Sequence, residues 1–313
     1  VTPPVLVVAG PTAAGKTGAA LALARHLGGE LVGADSVQVY RGFDIGSAKP
    51  SAAELGEIPH HLIDVLDPTE AIDAMAYAER ADAAIEGIAA RGRVPIVVGG
   101  TGLWIRALIR GLVDVPLPDP AIRGALEAEA EALGAPALHQ RLLAIDPLAA
   151  ARIHPNDALR IVRALEVFQQ TGRPLGELQR EHALGAPRYP NLFVVLDHPD
   201  RGNSDAAIEA RLEAMLAAGW LGEIRGLLER WPRSARAFGS VGYAQLVAHL
   251  RDGVPMDETR QAIRKATRVY ARRQRTWFKN EPGIDWRTDA TALTAPRGVA
   301  RVTQWWATAT DGA

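Results

Sequence analysis

Val5-Leu-Val-Val-Ala-Gly10-Pro-Thr-Ala-Ala-Gly15-Lys16-Thr17 is the stretch on which the architecture turns. Val5 to Ala9 is an apolar, largely β-branched run too short for a helix, and Thr17 to Leu27 is rich in Ala and Leu at helical spacing, so the segment reads strand, turn, helix. The turn satisfies G-x-x-x-x-G-K-[ST]. Its glycines let backbone amides converge on a diphosphate, the helix N-terminus adds partial positive charge, Lys16 brings an ammonium, and Thr17 offers a hydroxyl to Mg²⁺. Gly10, Pro11, Thr12, Ala13, Ala14, Gly15, Lys16 and Thr17 are therefore expected around phosphates. The motif leaves open whether these belong to ATP, GTP or another diphosphate.

Outward from this loop, Glu30 to Ala34, Val94 to Val98 and Phe193 to Asp197 read as further strands separated by helical stretches. That alternation predicts an α/β protein of the P-loop NTPase kind, a parallel sheet flanked by helices, with ligands outside the carboxyl ends of the strands. Residues 118–190 break the rhythm with Ala, Glu, Leu and Arg at helical spacing, and read as an all-helical insertion into a discontinuous core of 1–117 and 191–313. Ala206 to Arg230 and Met256 to Lys279 read as later helices, and the Ala- and Thr-rich end as a loosely held tail. With no cysteine, disulfides, thiolate metal sites and cysteine nucleophiles are excluded. A balance of 35 Lys+Arg against 36 Asp+Glu excludes a uniformly basic nucleic-acid binder, so local patches matter. Without a basic leader or a long apolar run near Val1, a cytoplasmic protein with no membrane association is the expectation, and separately a monomer.

Asp35 closes the second strand and belongs at the same sheet edge as the phosphate loop. A carboxylate there could take a proton from a hydroxyl in a kinase or from an amine in an alkyl transfer, or could simply cap the turn beside Ser36. Gly99-Gly100-Thr101-Gly102 brings a close-approaching backbone and one hydroxyl to the same rim. Arg160 and Arg163 lie on a helix capped by Asn156 or Asp157, with Ala158, Ile161, Val162, Leu165 and Phe168 facing its core. Arg264, Arg268, Arg272, Arg275 and Lys279 share one helical face, with Tyr270, Trp277 and Phe278 nearby, which suits a phosphate backbone. His60 and His61 lack the neighbouring ligands of a zinc site and read as structural or pocket-lining.

GPTAAGKT, DSVQVYRGFDIGSAKP (Asp35 to Pro50), HHLIDVLDP (His60 to Pro68), GGTGLW (Gly99 to Trp104), NDALRIVRALEVFQQTGRPL (Asn156 to Leu175), SVGY (Ser240 to Tyr243) and YARRQRTWF (Tyr270 to Phe278) resemble, in order and over nearly the whole chain, the signature blocks of bacterial tRNA dimethylallyltransferases. The chain departs from that pattern at Ser47, Trp104 and Gly239. The resemblance implies transfer of a dimethylallyl group from its diphosphate to N6 of the adenosine immediately 3′ of the anticodon. The phosphate loop would hold dimethylallyl diphosphate with Mg²⁺, and Asp35, Lys16 and Thr101 would be catalytic. Asp35, Ser36, Val37, Gln38, Thr101, Arg123, Leu159, Arg160, Ile161, Val162, Arg163, Arg268 and Arg272 would meet the tRNA anticodon stem-loop, and Arg211 or Arg225 would add charge at the diphosphate. A stacked adenosine must be extruded to react, which requires a nucleic-acid surface. Two other readings stay open: a small-molecule kinase with the same loop, and an adenylate dimethylallyltransferase, against which the insertion and the arginine stripe argue.

Overall fold

A computed structural model describes residues 2–183, 185–198 and 201–311. Six strands, β1 (Val5–Ala9), β2 (Gly29–Ala34), β3 (His60–His61), β4 (Val94–Gly99), β5 (Asn191–Leu196) and β6 (Trp286–Thr288), form one parallel sheet in the order β3-β2-β4-β1-β5-β6. The P-loop type of α/β sheet expected from the sequence is present. Every residue of β1 is buried, which is why that strand is apolar throughout rather than alternating. Ala9 at its end pairs with Gly99 on one side and Val195 on the other. The register thus delivers the Gly10 loop, the Gly99 loop and the segment after β5 to one edge. β3 and β6 escaped the sequence reading because two and three residues carry no periodicity.

The helices used below are α1 (Lys16–Leu27), α2 (Ala74–Ala90), α3 (Gly102–Arg110), α4 (Pro120–Leu133), α5 (Ala135–Ile145), α6 (Ala158–Thr171), α7 (Leu175–Ala183), α8 (Arg201–Ala217), α9 (Trp220–Arg230), α10 (Tyr243–Asp252), α11 (Met256–Asn280) and α12 (Pro296–Asp311). Two expectations are corrected. The single helix read over Ala206 to Arg230 is two, broken before Trp220 where Gly219 takes φ 96°, a left-handed value that suits glycine. The end of the chain is not a loose tail: α12 buries Val302 and packs Val299, Trp305 and Trp306 against the core that α1 shares with the sheet. Its aromatic and valine positions recur at helical spacing, a signal masked by the Ala and Thr between them. Among the described residues, no helix is long and apolar enough to cross a membrane.

The chain divides into two compact units, one formed by Val1–Gly111 with Pro187–Ala313 and the other by Leu112–Ala186. Residues 187–190 therefore lie with the sheet, where Arg188 N donates to Ile109 O and Val5 N to Pro190 O. The second unit is helical, built around Leu126, Leu138, Leu142, Ile161, Val162 and Leu165. Glu166 is fully buried there and accepts from Arg123 and Arg163, each at 2.8 Å. Burial pushes its carboxyl up, but the hydrogen bonds and charges of Arg163 and Arg123 outweigh that and hold it below the usual carboxylate range.

Candidate active site

The phosphate loop starts α1 through Gly15, whose φ of 76° directs the chain into the helix at Lys16. Ala13 is also left-handed, φ 64°, a conformation that residues other than glycine seldom adopt. Two side chains from distant sequence hold the loop in place. His198, just past β5, donates from Nε2 to Ala13 O at 2.6 Å. Gln274 of α11 accepts from Thr12 N at 2.8 Å and donates to Gly100 O at 2.9 Å, joining the phosphate loop to the Gly99 loop. His198 carries no signal in the sequence, and Gln274 only its place in the Tyr270–Phe278 block, because each acts on backbone atoms that only the fold brings near. Gln274 is buried, so Gln274→Leu should leave an N–H and a C=O unpaired. The expected loss is about 1–3 kcal/mol of stability in urea titrations.

Lys16 Nζ donates to Pro11 O at 2.7 Å. Burial lowers its pKa to about 8; the nearby Asp35 carboxylate opposes that shift and Arg211 adds to it. Arg211 on α8 is itself buried enough that desolvation lowers its pKa, partly offset by Asp35. Arg225, the other arginine considered for this role, is exposed on α9 and lines neither cavity described below.

Asp35 follows β2 directly. Its Oδ1 accepts from Val37 N at 2.9 Å and Gln38 N at 3.3 Å, while Oδ2 has no hydrogen-bond partner among the described residues. The turn thus engages one oxygen of the carboxylate and leaves the other unengaged. Ser36 N donates to Thr101 Oγ1 at 3.1 Å, and Thr101 N donates to Ala34 O at 3.1 Å. Tyr270 lies beside Ser36 and Thr101, and burial pushes its hydroxyl pKa up to about 12. Gln38 spends its amide on Ser47 O and Ala48 O, both at 3.0 Å, and so supports the following loop.

Two cavities adjoin here. The smaller, about 70 Å³, is lined by Lys16, Thr17, His60, Val98 and Gln274. The larger, about 290 Å³, runs from Ser36 and Val37 to Leu212, Met215, Trp220 and Ile263. Thr12, Asp35, Arg211 and Tyr270 line both. A polar end holding cations, a carboxylate at the junction and an apolar end make a receptacle for a molecule with an anionic head and a hydrocarbon tail.

On the outer side of α11, Lys265, Arg268, Arg272, Arg275 and Lys279 line an open groove. The stripe read from the sequence is altered at one end, because α8 brings acids against it. Arg260 pairs with Glu213 at 3.4 Å, Arg264 with Glu209 at 2.5 Å and Arg268 with Asp205 at 3.1 Å. Arg264 therefore faces α8 and does not line the groove. Arg275 pairs with Asp197 at 3.0 Å, whereas Arg272 has no acid within ion-pair distance among the described residues. In the helical unit, Asp157 and not Asn156 caps α6, accepting from Arg160 N at 3.2 Å. Leu159 and Arg160 are 72% and 68% exposed there. Ile161 and Val162 are buried, and Arg123 and Arg163 are engaged with Glu166. Those four side chains stabilise the helix that presents the first two.

Fold and site together define a phosphate-loop α/β protein in which the phosphate end opens into an apolar chamber beside a carboxylate. Residues 38–281 match the family model described as IPP transferase. The chain is 53% identical over 281 residues to a tRNA dimethylallyltransferase of Anaeromyxobacter dehalogenans (strain 2CP-1), covering 90% of this chain and 92% of that one. The solved tRNA isopentenylpyrophosphate transferase of Bacillus halodurans superimposes with a TM-score of 0.71 at 34% identity, over 98% of both chains. A eukaryotic dimethylallyltransferase acting on tRNA gives a TM-score of 0.76 at 27% identity, over 97% of this chain and 78% of that one. The chain belongs to the IPP transferase family.

Proposed function

We propose that this protein transfers the dimethylallyl group of dimethylallyl diphosphate to N6 of the adenosine immediately 3′ of the anticodon in tRNA, releasing diphosphate. The observation that carries the reading is the junction of the two cavities at Asp35 and Arg211. An anion held by Lys16 and Arg211 leaves its tail in an apolar space, with a carboxylate oxygen unengaged at the boundary.

The reaction breaks the allylic C1–O bond and forms a C1–N6 bond. Negative charge grows on the diphosphate as the bond breaks, so Lys16, Arg211 and the loop amides act most strongly in the transition state. The adenine amine is a poor nucleophile while its lone pair is delocalised into the ring. Asp35 Oδ2 accepts the N6 proton as the new bond forms. Thr101, which accepts from Ser36 N and donates its own N–H to Ala34 O, fixes the backbone on both sides of Asp35.

The Thr17 hydroxyl lines the phosphate cavity, and no group of three His, Asp or Glu suited to a metal occurs among the described residues. That donor set fits Mg²⁺ held by Thr17, water and chiefly the diphosphate oxygens. Bound there, the ion would supply further neutralisation of the leaving group.

The groove on α11 and the exposed Leu159 and Arg160 are offered to the RNA, which must present an extruded base. Arg272→Ala should flatten the slope of log affinity for an anticodon stem-loop against log salt by about 0.7–0.9. Arg268→Ala should change it less, since Asp205 already neutralises that guanidinium. Equal effects would place the RNA elsewhere. The direct test incubates the protein with Mg²⁺, labelled dimethylallyl diphosphate and either the stem-loop or AMP. N6-prenyl adenosine should form in the stem-loop alone; label in AMP, or phosphate transfer from ATP, would reject the reading.

A further inference from the structure

Trp220 opens α9 with 2% of its surface exposed. Its indole passes two glycines at closer range than any other residue would permit. A Cβ on Gly46 would fall 2.1 Å from Nε1, and one on Gly242 would fall 2.1 Å from Cη2. Tyr243 meets the ring edge-on, with centroids 5.4 Å apart and planes at 79°. Glu223, one turn further along α9, accepts from the Tyr243 hydroxyl at 2.7 Å and from the backbone N–H groups of Asp44 and Ile45 at 3.1 and 2.6 Å. The carboxylate ties α9 to the loop that holds Gly46, so the indole is wedged on both sides.

The same indole is part of the wall of the larger cavity, beside Leu212 and Met215 of α8. Met215 has the torsional freedom to adapt to different tails. Trp220 is the bulkiest group in the wall, and Gly46, Gly242 and Tyr243 leave it no room to retreat from the cavity. We propose that Trp220 sets the upper limit on prenyl chain length, admitting a five-carbon tail and excluding a ten-carbon one. The proposal rests on the reading of this cavity as the site of the prenyl diphosphate. A tail anchored by its head at Lys16 and Arg211 grows towards the apolar wall with each added isoprene unit, and the wedged ring is the fixed obstacle it meets. Gly46→Ala should have the opposite effect to removing the ring, driving the indole into the cavity and raising the KM for dimethylallyl diphosphate.

The test measures kcat/KM with dimethylallyl and geranyl diphosphates, on an anticodon stem-loop, for the wild type, Trp220→Ala and Trp220→Phe. The wild type should favour the shorter donor by about 100-fold or more. Trp220→Ala should narrow that ratio at least tenfold through a gain with geranyl diphosphate, and Trp220→Phe should fall between. If Trp220→Ala does not accumulate as folded protein, Trp220→Phe decides, and a ratio within twofold of wild type overturns the proposal. An unchanged ratio together with a raised stem-loop KM for both donors places the purine against Trp220 and also overturns it. A wild type that transfers neither tail instead removes the reading of the reaction itself.

Discussion

Asp35→Asn is expected to lower kcat by about 10²- to 10⁴-fold while leaving stem-loop affinity within a few-fold of wild type. The asparagine carbonyl can still accept from Val37 N and Gln38 N, the two bonds that Oδ1 makes now. The turn is kept and only the capacity to take a proton is lost. Asp35→Ala removes both, and should add a measurable fall in thermal stability that the asparagine variant lacks. The comparison separates a base from a cap within one residue. Turnover of Asp35→Asn within tenfold of wild type would mean that the amine loses its proton elsewhere.

Replacing Lys16 by Met should cut kcat/KM for dimethylallyl diphosphate by about 10²- to 10³-fold, the scale of removing one preorganised cation from a developing charge. The same change should stabilise the protein in the absence of substrate. The Lys16 pKa falls from 10.5 to about 8 on folding. Between those values the unfolded chain keeps a proton that the folded chain has released, so stability rises with pH across that window. Below about pH 8 the folded protein holds a charged amine in a desolvated place, at a cost on the order of 3 kcal/mol. Lys16→Met should therefore raise Tm by a few degrees at pH 7, with the gain fading above pH 10. Substrate affinity should weaken as pH rises through about 8, where the ammonium is lost. A Tm that falls in Lys16→Met, or donor binding flat from pH 7 to 9.5, would contradict this account.

The parts of the molecule that act through local pattern were readable in advance. β1, the phosphate loop and α1 announce themselves by one apolar run and fixed glycine spacing, and Asp35 by its place at the end of β2. The residues that hold these parts together were not readable. Gln274 and His198 secure the phosphate loop from 262 and 185 positions away, through backbone atoms whose neighbours a sequence does not name. Asp205, Glu209 and Glu213 on α8 pair with Arg268, Arg264 and Arg260 of α11, a meeting that only the packing of the two helices reveals. Arg123 and Arg163 show the same limit from the other side. The family resemblance puts both beside the tRNA, and the structure adds that Glu166, an unremarked acid on a helical face, pairs with both.

The central position of β1 bears on how the chain comes to be folded in the cell. One neighbour, β4, follows within the first hundred residues, but the other, β5, is roughly 180 residues downstream of β1. At a synthesis rate of about 5–20 residues per second, a nascent chain leaves one edge of its innermost strand uncovered for about 10–40 s. The helical unit between them, with its own buried leucines, has emerged by then. Throughout that interval the ribosome-bound intermediate carries an apolar, unpaired strand edge of the sort that recruits other chains, so chaperone demand should peak just before β5 is made.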